Sequence, residues 1–81
     1  MNESKMILNA SLEKIHATAM GEERIKNNLK LSNSDIIQWC RKIISIAEHI
    51  ERLGKNYYVY FENIVLTINA SSYTVITAHL R

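Results

Sequence analysis

Three histidines and a scatter of cations are the side chains of this 81-residue chain with the most obvious chemical potential. Metal-independent RNA cleavage needs a base for the ribose 2′-OH, an acid for the leaving 5′-oxygen, and cations or donors around the phosphorane. His16 and His79 are an acid and a base of the right type. Arg24, Lys55 and Arg81 are cations for phosphate, and Thr67, Thr77 and the tyrosines offer donors and stacking surfaces. Spacing alone does not select this set, because a lone His is more often an ordinary surface residue.

Other chemistries find no motif. There is no Gly-rich phosphate loop, no nucleophile elbow and no His-x-x-x-His. His16, His49 and His79 are far apart in the chain, and Cys40 is the single cysteine. An internal disulfide framework and a Cys-cluster zinc site are thereby excluded. No metal and no cofactor are expected.

The elements that must position these residues follow from period and punctuation. Length predicts one domain over residues 1–81, with a helical part at 4–48 and a β-meander at 49–80. Ile7, Leu8, Leu12 and Ile15 recur at helical spacing between residues 4 and 18, with Ser4 as N-cap. Gly21 reads as a break before a short second helix over residues 22–29. Ser32 and Asp35 have the spacing of a capping box. The helix after them carries Ile36, Ile37, Trp39, Cys40, Ile43, Ile44, Ile46 and Ala47 on about half its wheel. Cys40, in the middle of that arc, reads as a buried, inert thiol.

After residue 48 the period changes to two. Residues 50–53, 57–61, 64–70 and 73–80 read as strands, divided by Gly54-Lys55-Asn56, Glu62-Asn63 and Ser71-Ser72. Connections this short allow only antiparallel neighbours. The fold class is therefore α+β, with two to three N-terminal helices packed on a four-stranded antiparallel β-meander.

Charge is divided unevenly. The net charge is +2, too weak to establish nucleic-acid binding. Yet between Glu62 and Arg81 the chain carries no formal charge. Such a segment must lie inside a sheet or be covered, because exposed edge strands are normally protected by charge. No stretch approaches the roughly 20 apolar residues of a membrane span, and the N-terminus lacks a signal-peptide core. A soluble, cytoplasmic protein is expected.

Strict alternation sorts the strands into two faces. One set is apolar and should face the helices. The other displays Tyr58, Tyr60, Thr67, Asn69, Tyr73, Thr77 and His79. This second face lacks Lys and Glu and carries rings, hydroxyls, an amide and an imidazole. It suits stacking and hydrogen bonding to a base, a nucleotide or a protein.

Two resemblances add to this reading. Lys14-Ile15-His16-Ala17-Thr18, then Gly21 and Arg24-Ile25-Lys26-Asn27-Asn28-Leu29, form one segment. Gly54-Lys55-Asn56-Tyr57-Tyr58-Val59, Thr67-Ile68-Asn69-Ala70 and Ser72-Tyr73-Thr74-Val75-Ile76-Thr77-Ala78-His79 form the second. Together they resemble, over roughly residues 12–80, a small bacterial and phage family described only as a domain of unknown function. More weakly, helices followed by a meander ending in Tyr-Thr-Val-Ile-Thr-Ala-His are similar to the ribonuclease toxin superfamily of barnase and the colicins. That second resemblance implies catalysis on the open sheet face and a preceding helix, by His16, Arg24, Lys55, Thr77 and His79. No complete catalytic motif of that superfamily is present.

Two functions of different class follow. The first is a small binding or inhibitory protein, possible in a phage anti-defence role, that uses the uncharged face to bind a protein partner, a second copy of itself or a nucleotide-type ligand. The second is a metal-independent endoribonuclease that acts on RNA.

Overall fold

The computed structural model describes residues 3–31 and 35–81. Helix α1 (Glu3–Ala10), a 3-10 turn (Leu12–Lys14), α2 (Ala19–Leu29) and α3 (Ile36–Ile46) precede four strands. These are β1 (His49–Leu53), β2 (Asn56–Phe61), β3 (Ile64–Asn69) and β4 (Val75–Leu80). The strands form one antiparallel sheet in the order β1-β2-β3-β4, the meander that the short connections dictate.

The helices depart from expectation at their ends. The expected helix at 4–18 stops at Ala10, and Ser4 lies inside it rather than capping it. Ile15 is already extended, because residues 15–17 leave the helical layer to join the sheet. The backbone of His16 pairs in parallel with Thr74: His16 N–H donates to the Tyr73 carbonyl at 3.2 Å, and Val75 N–H donates to the His16 carbonyl at 2.7 Å.

Gly21 does not break the chain. It is the third residue of α2, whose N-cap is Thr18; the Thr18 hydroxyl accepts from Gly21 N–H at 3.0 Å. A Cβ there would stand 3.2 Å from Thr18 Oγ1 and 3.6 Å from the Val75 carbonyl oxygen, so glycine permits the close approach of α2 to β4. Asp35 caps α3 by accepting from Gln38 N–H at 3.0 Å, rather than closing a box. Ser32, the other half of that expected box, lies outside the described residues.

The core lies between the helices and one sheet face. Leu8, Ile25, Ile36, Cys40, Ile43 and Ile44 meet Ile50, Tyr57, Val59, Leu66, Ile68, Val75 and Ala78 in one cluster. Ile46, expected in the apolar arc of α3, is exposed instead, at the helix end where the chain turns into β1. Burial pushes the Cys40 thiol up to about 12, and the charge of Glu22 adds to the shift. The uncharged C-terminal segment is covered by its own chain. β3 is an inner strand, and β4 is flanked by α2 and by the His16 bridge. Asn28 on α2 donates to the Ala78 carbonyl at 3.2 Å.

β4 contains an irregularity that strict alternation does not anticipate. Thr67 pairs with Thr77, but Ile68 pairs with Val75, which leaves Ile76 as an extra residue. Val75, which strict alternation groups with Tyr73, Thr77 and His79, is therefore buried in the core, while Ile76 is 38% exposed. Residues before the bulge change sides with it. Tyr73 packs against the core cluster rather than on the open face, at a positive φ of 60°.

Candidate functional site

The register places two rows of four side chains on the face away from the helices. One row runs His49, Tyr60, Val65, His79. The next runs Glu51, Tyr58, Thr67, Thr77. Val65 and Thr67 are only 6% and 8% exposed, and Val65 is not part of the core cluster. Tyr60 and His79 flank Val65, and Tyr58 and Thr77 flank Thr67, so β3 carries small side chains beside the tyrosines of β2 and forms the floor of a shallow trough.

The first row is partly closed by its own residues. The His49 ring stacks on Tyr60 at 5.8 Å between centroids, with 23° between planes. The Arg81 guanidinium lies 5.2 Å from the centre of the same ring. Arg81 is anchored by Nε and Nη2, both donating to the Glu62 carbonyl, with the Nε bond at 2.8 Å. Two other tyrosines also have cation partners: Arg52 lies 5.4 Å from Tyr57, and Lys14 lies 5.7 Å from Tyr73. Among the described residues Tyr58 has no such ring or cation partner. It stands half-buried in the second row, between Glu51 and Thr67.

The β4 rim of this row is supplied by α2. Asn28 Nδ2 donates to Thr77 Oγ1 at 3.4 Å. Arg24, one turn earlier on the same helix face, is exposed. Thus three residues of the sequence-derived catalytic set, Arg24, Thr77 and His79, share one side of the molecule.

The other two do not join them. Lys55 lies in the β1–β2 turn, whose carbonyl accepts from Ala70 N–H at 2.9 Å, at the end of the sheet opposite His79. His16 is beside Thr74, five residues before His79, a separation of about 17 Å along an extended strand. Its ring is fixed. Nδ1 faces the Lys14 carbonyl at 2.9 Å, an acceptor only, so Nδ1 carries the hydrogen. Nε2 lies 2.9 Å from the Thr74 hydroxyl. Thr74 meets Ser72 at 2.8 Å, and Ser72 donates to Asn69 Oδ1 at 3.2 Å. Asn69 Oδ1 also accepts from the Ser71 and Ser72 amides at 2.9 Å each, so it builds the β3–β4 turn. The Asn69 side chain, expected to bind on the open face, is occupied in this way by the chain itself, and the Tyr73 ring lies beneath Lys14 against the core.

Sequence reasoning missed His49, Glu51, Asn28 and Arg81 as parts of this face. Alternation applied to the expected strand at 50–53 would have found Glu51, and an extension back by one residue His49. The contact with α2 has no sequence signal.

A depression of about 230 Å³ lies on the opposite flank of α2, lined by Ala19, Glu22, Glu23, Lys26 and Ile36. Among the described residues no group of three or more His, Cys, Asp or Glu side chains could hold a metal ion, and no helix is long and apolar enough to cross a membrane. No curated protein and no solved structure matches the chain. The family model described as "Protein of unknown function (DUF3781)" matches residues 9–79, and the chain belongs to that family.

Proposed function

We propose that the protein is a small binding module whose partner sits on the open sheet face. The observation that carries this reading is the β3 trough. Val65 and Thr67 are nearly inaccessible, yet among the described residues Val65 lies outside the core cluster that the helices cover. A solvated sheet face usually carries long charged side chains, whereas these rows hold rings, hydroxyls and imidazoles with Glu51 as the single carboxylate. An inhibitor that works by occupying a target, including one of the phage anti-defence kind, needs nothing beyond such a face. The ribonuclease reading has less support, because its two histidines lie near opposite ends of β4.

Affinity purification from the native host tests the reading. The Thr77→Arg variant, on the face, should lose a component that the wild type and Ser45→Arg, on the exposed side of α3, both retain. Identical recovery from all three proteins would contradict it.

A further inference from the structure

The second row of the open face has a direction, and that direction matches a nucleotide. Read from β1 to α2, it presents a carboxylate (Glu51), an unpartnered aromatic ring (Tyr58), two hydroxyls (Thr67 and Thr77), an amide (Asn28) and, one helical turn away, an exposed guanidinium (Arg24). Resting on the binding reading above, we propose that this row binds a nucleoside monophosphate unit whose base carries an exocyclic amino group. The base lies against Tyr58 with its amino group donating to Glu51. The sugar lies over Thr67 and Thr77, and the phosphate reaches Arg24.

Size decides between this occupant and a second copy of the chain. Four strands about 4.8 Å apart and about 20 Å long present roughly 400 Å². A dimer joined through this face alone would fall short of the roughly 800 Å² per partner that a stable interface uses. The distance from β2 to β4 is about 10 Å, close to the span from a base to its 5′-phosphate. Extended peptides bind sheets at their edges rather than on their faces, and the β4 edge is already taken by α2 and His16. Tyr58 is the ring left available for a base, because Tyr60 is flanked by His49 and Arg81.

The unit can be a free mononucleotide or part of a single strand, and one titration separates these sources. Isotope-labelled protein is titrated with AMP, CMP, GMP, UMP, adenosine and an oligoadenylate of about ten nucleotides. Shifts at Tyr58, Thr67 and Thr77 are expected with AMP, CMP or GMP, at dissociation constants below about 1 mM. UMP, without the amino group, should bind more weakly. Tyr58→Leu should weaken binding about tenfold. Arg24→Ala, at an exposed helix position, should remove the advantage of AMP over adenosine. An oligoadenylate far tighter than AMP identifies a strand, and equal affinities identify a free nucleotide.

Absence of shifts on this face up to about 10 mM overturns the proposal, as does binding unaltered by both variants. If nucleotides fail while Thr77→Arg still loses its co-purified component, the nucleotide assignment falls and the binding face stands.

Discussion

The two sides of β3 are buried for different reasons. Leu66 and Ile68 are sealed beneath the helices, in contact with the rest of the core. Val65 and Thr67 lie on the other face, between their register partners on β2 and β4, and among the described residues Val65 is outside that core cluster. Low exposure therefore means two things in one strand. On the first side it is the source of stability, and on the second it belongs to a face outside the helix-packed core. Mutations should separate the two.

The largest expected difference is between Leu66→Ala and Thr67→Ala. The first leaves a cavity in the core and should cost about 2–5 kcal/mol of unfolding free energy. The second should cost under about 1 kcal/mol, as a change of strand propensity. Urea denaturation of both variants reads the contrast directly. Equal losses would mean that the open face is a second core.

The next effect concerns how the covered side is held together. Arg41 on α3 donates through Nη2 to the carbonyls of Glu13 at 3.3 Å and Ile15 at 3.2 Å. These bonds fasten the segment that runs along β4. Arg41→Met should cost about 1–3 kcal/mol, reduced by relief of its buried and unpartnered Nε. It should also accelerate amide exchange at Val75, whose N–H is bonded to the His16 carbonyl. Exchange at Thr67 should change little.

Cys40 reports on the covered side through pH. Its folded pKa, about 12, lies above its ordinary value of 9.0. The unfolded thiol ionises first. The contribution of Cys40 is therefore intact below pH 9 and is lost as pH rises toward 12, at no more than about 1.4 kcal/mol per pH unit. Thiol titration of the native protein at pH 8 should be slow, and fast once the chain is unfolded.

The smallest effect sharpens the open side. Glu62 holds a φ of 51° in the β2–β3 turn, with its N–H bonded to the Glu48 carboxylate and its carbonyl bonded to Arg81. Those bonds use backbone atoms and survive in Glu62→Gly. The variant should gain about 0.5–1 kcal/mol in urea, and open-face binding should be unchanged.

The contrast between the faces was legible in the sequence only as far as period two holds. Short turns at Gly54, Glu62 and Ser71 dictate the strand order, and alternation places Tyr58, Tyr60, Thr67, Thr77 and His79 correctly. The bulge at Ile76 lies beyond that logic. An extra residue leaves no mark in an alternating pattern whose members are all β-formers, so alternation puts Tyr73 and Val75 on the wrong side. Gly21 misleads for a related reason: glycine marks close backbone approach as readily as a break. The bridge at His16 and the contact of Asn28 with Thr77 join segments separated by 58 and 49 residues, and no local pattern encodes them. The separation of His16 from His79, which decides how the two functional readings rank, was therefore visible only in the fold.

Amide-shift mapping of the labelled protein with its co-purified partner is the most direct test of the open face. Shifts should gather at residues 58–60, 65–67 and 77–79, and along the Arg24 side of α2. Shifts confined to residues 3–14 and 36–46, with β3 silent, would contradict the assignment.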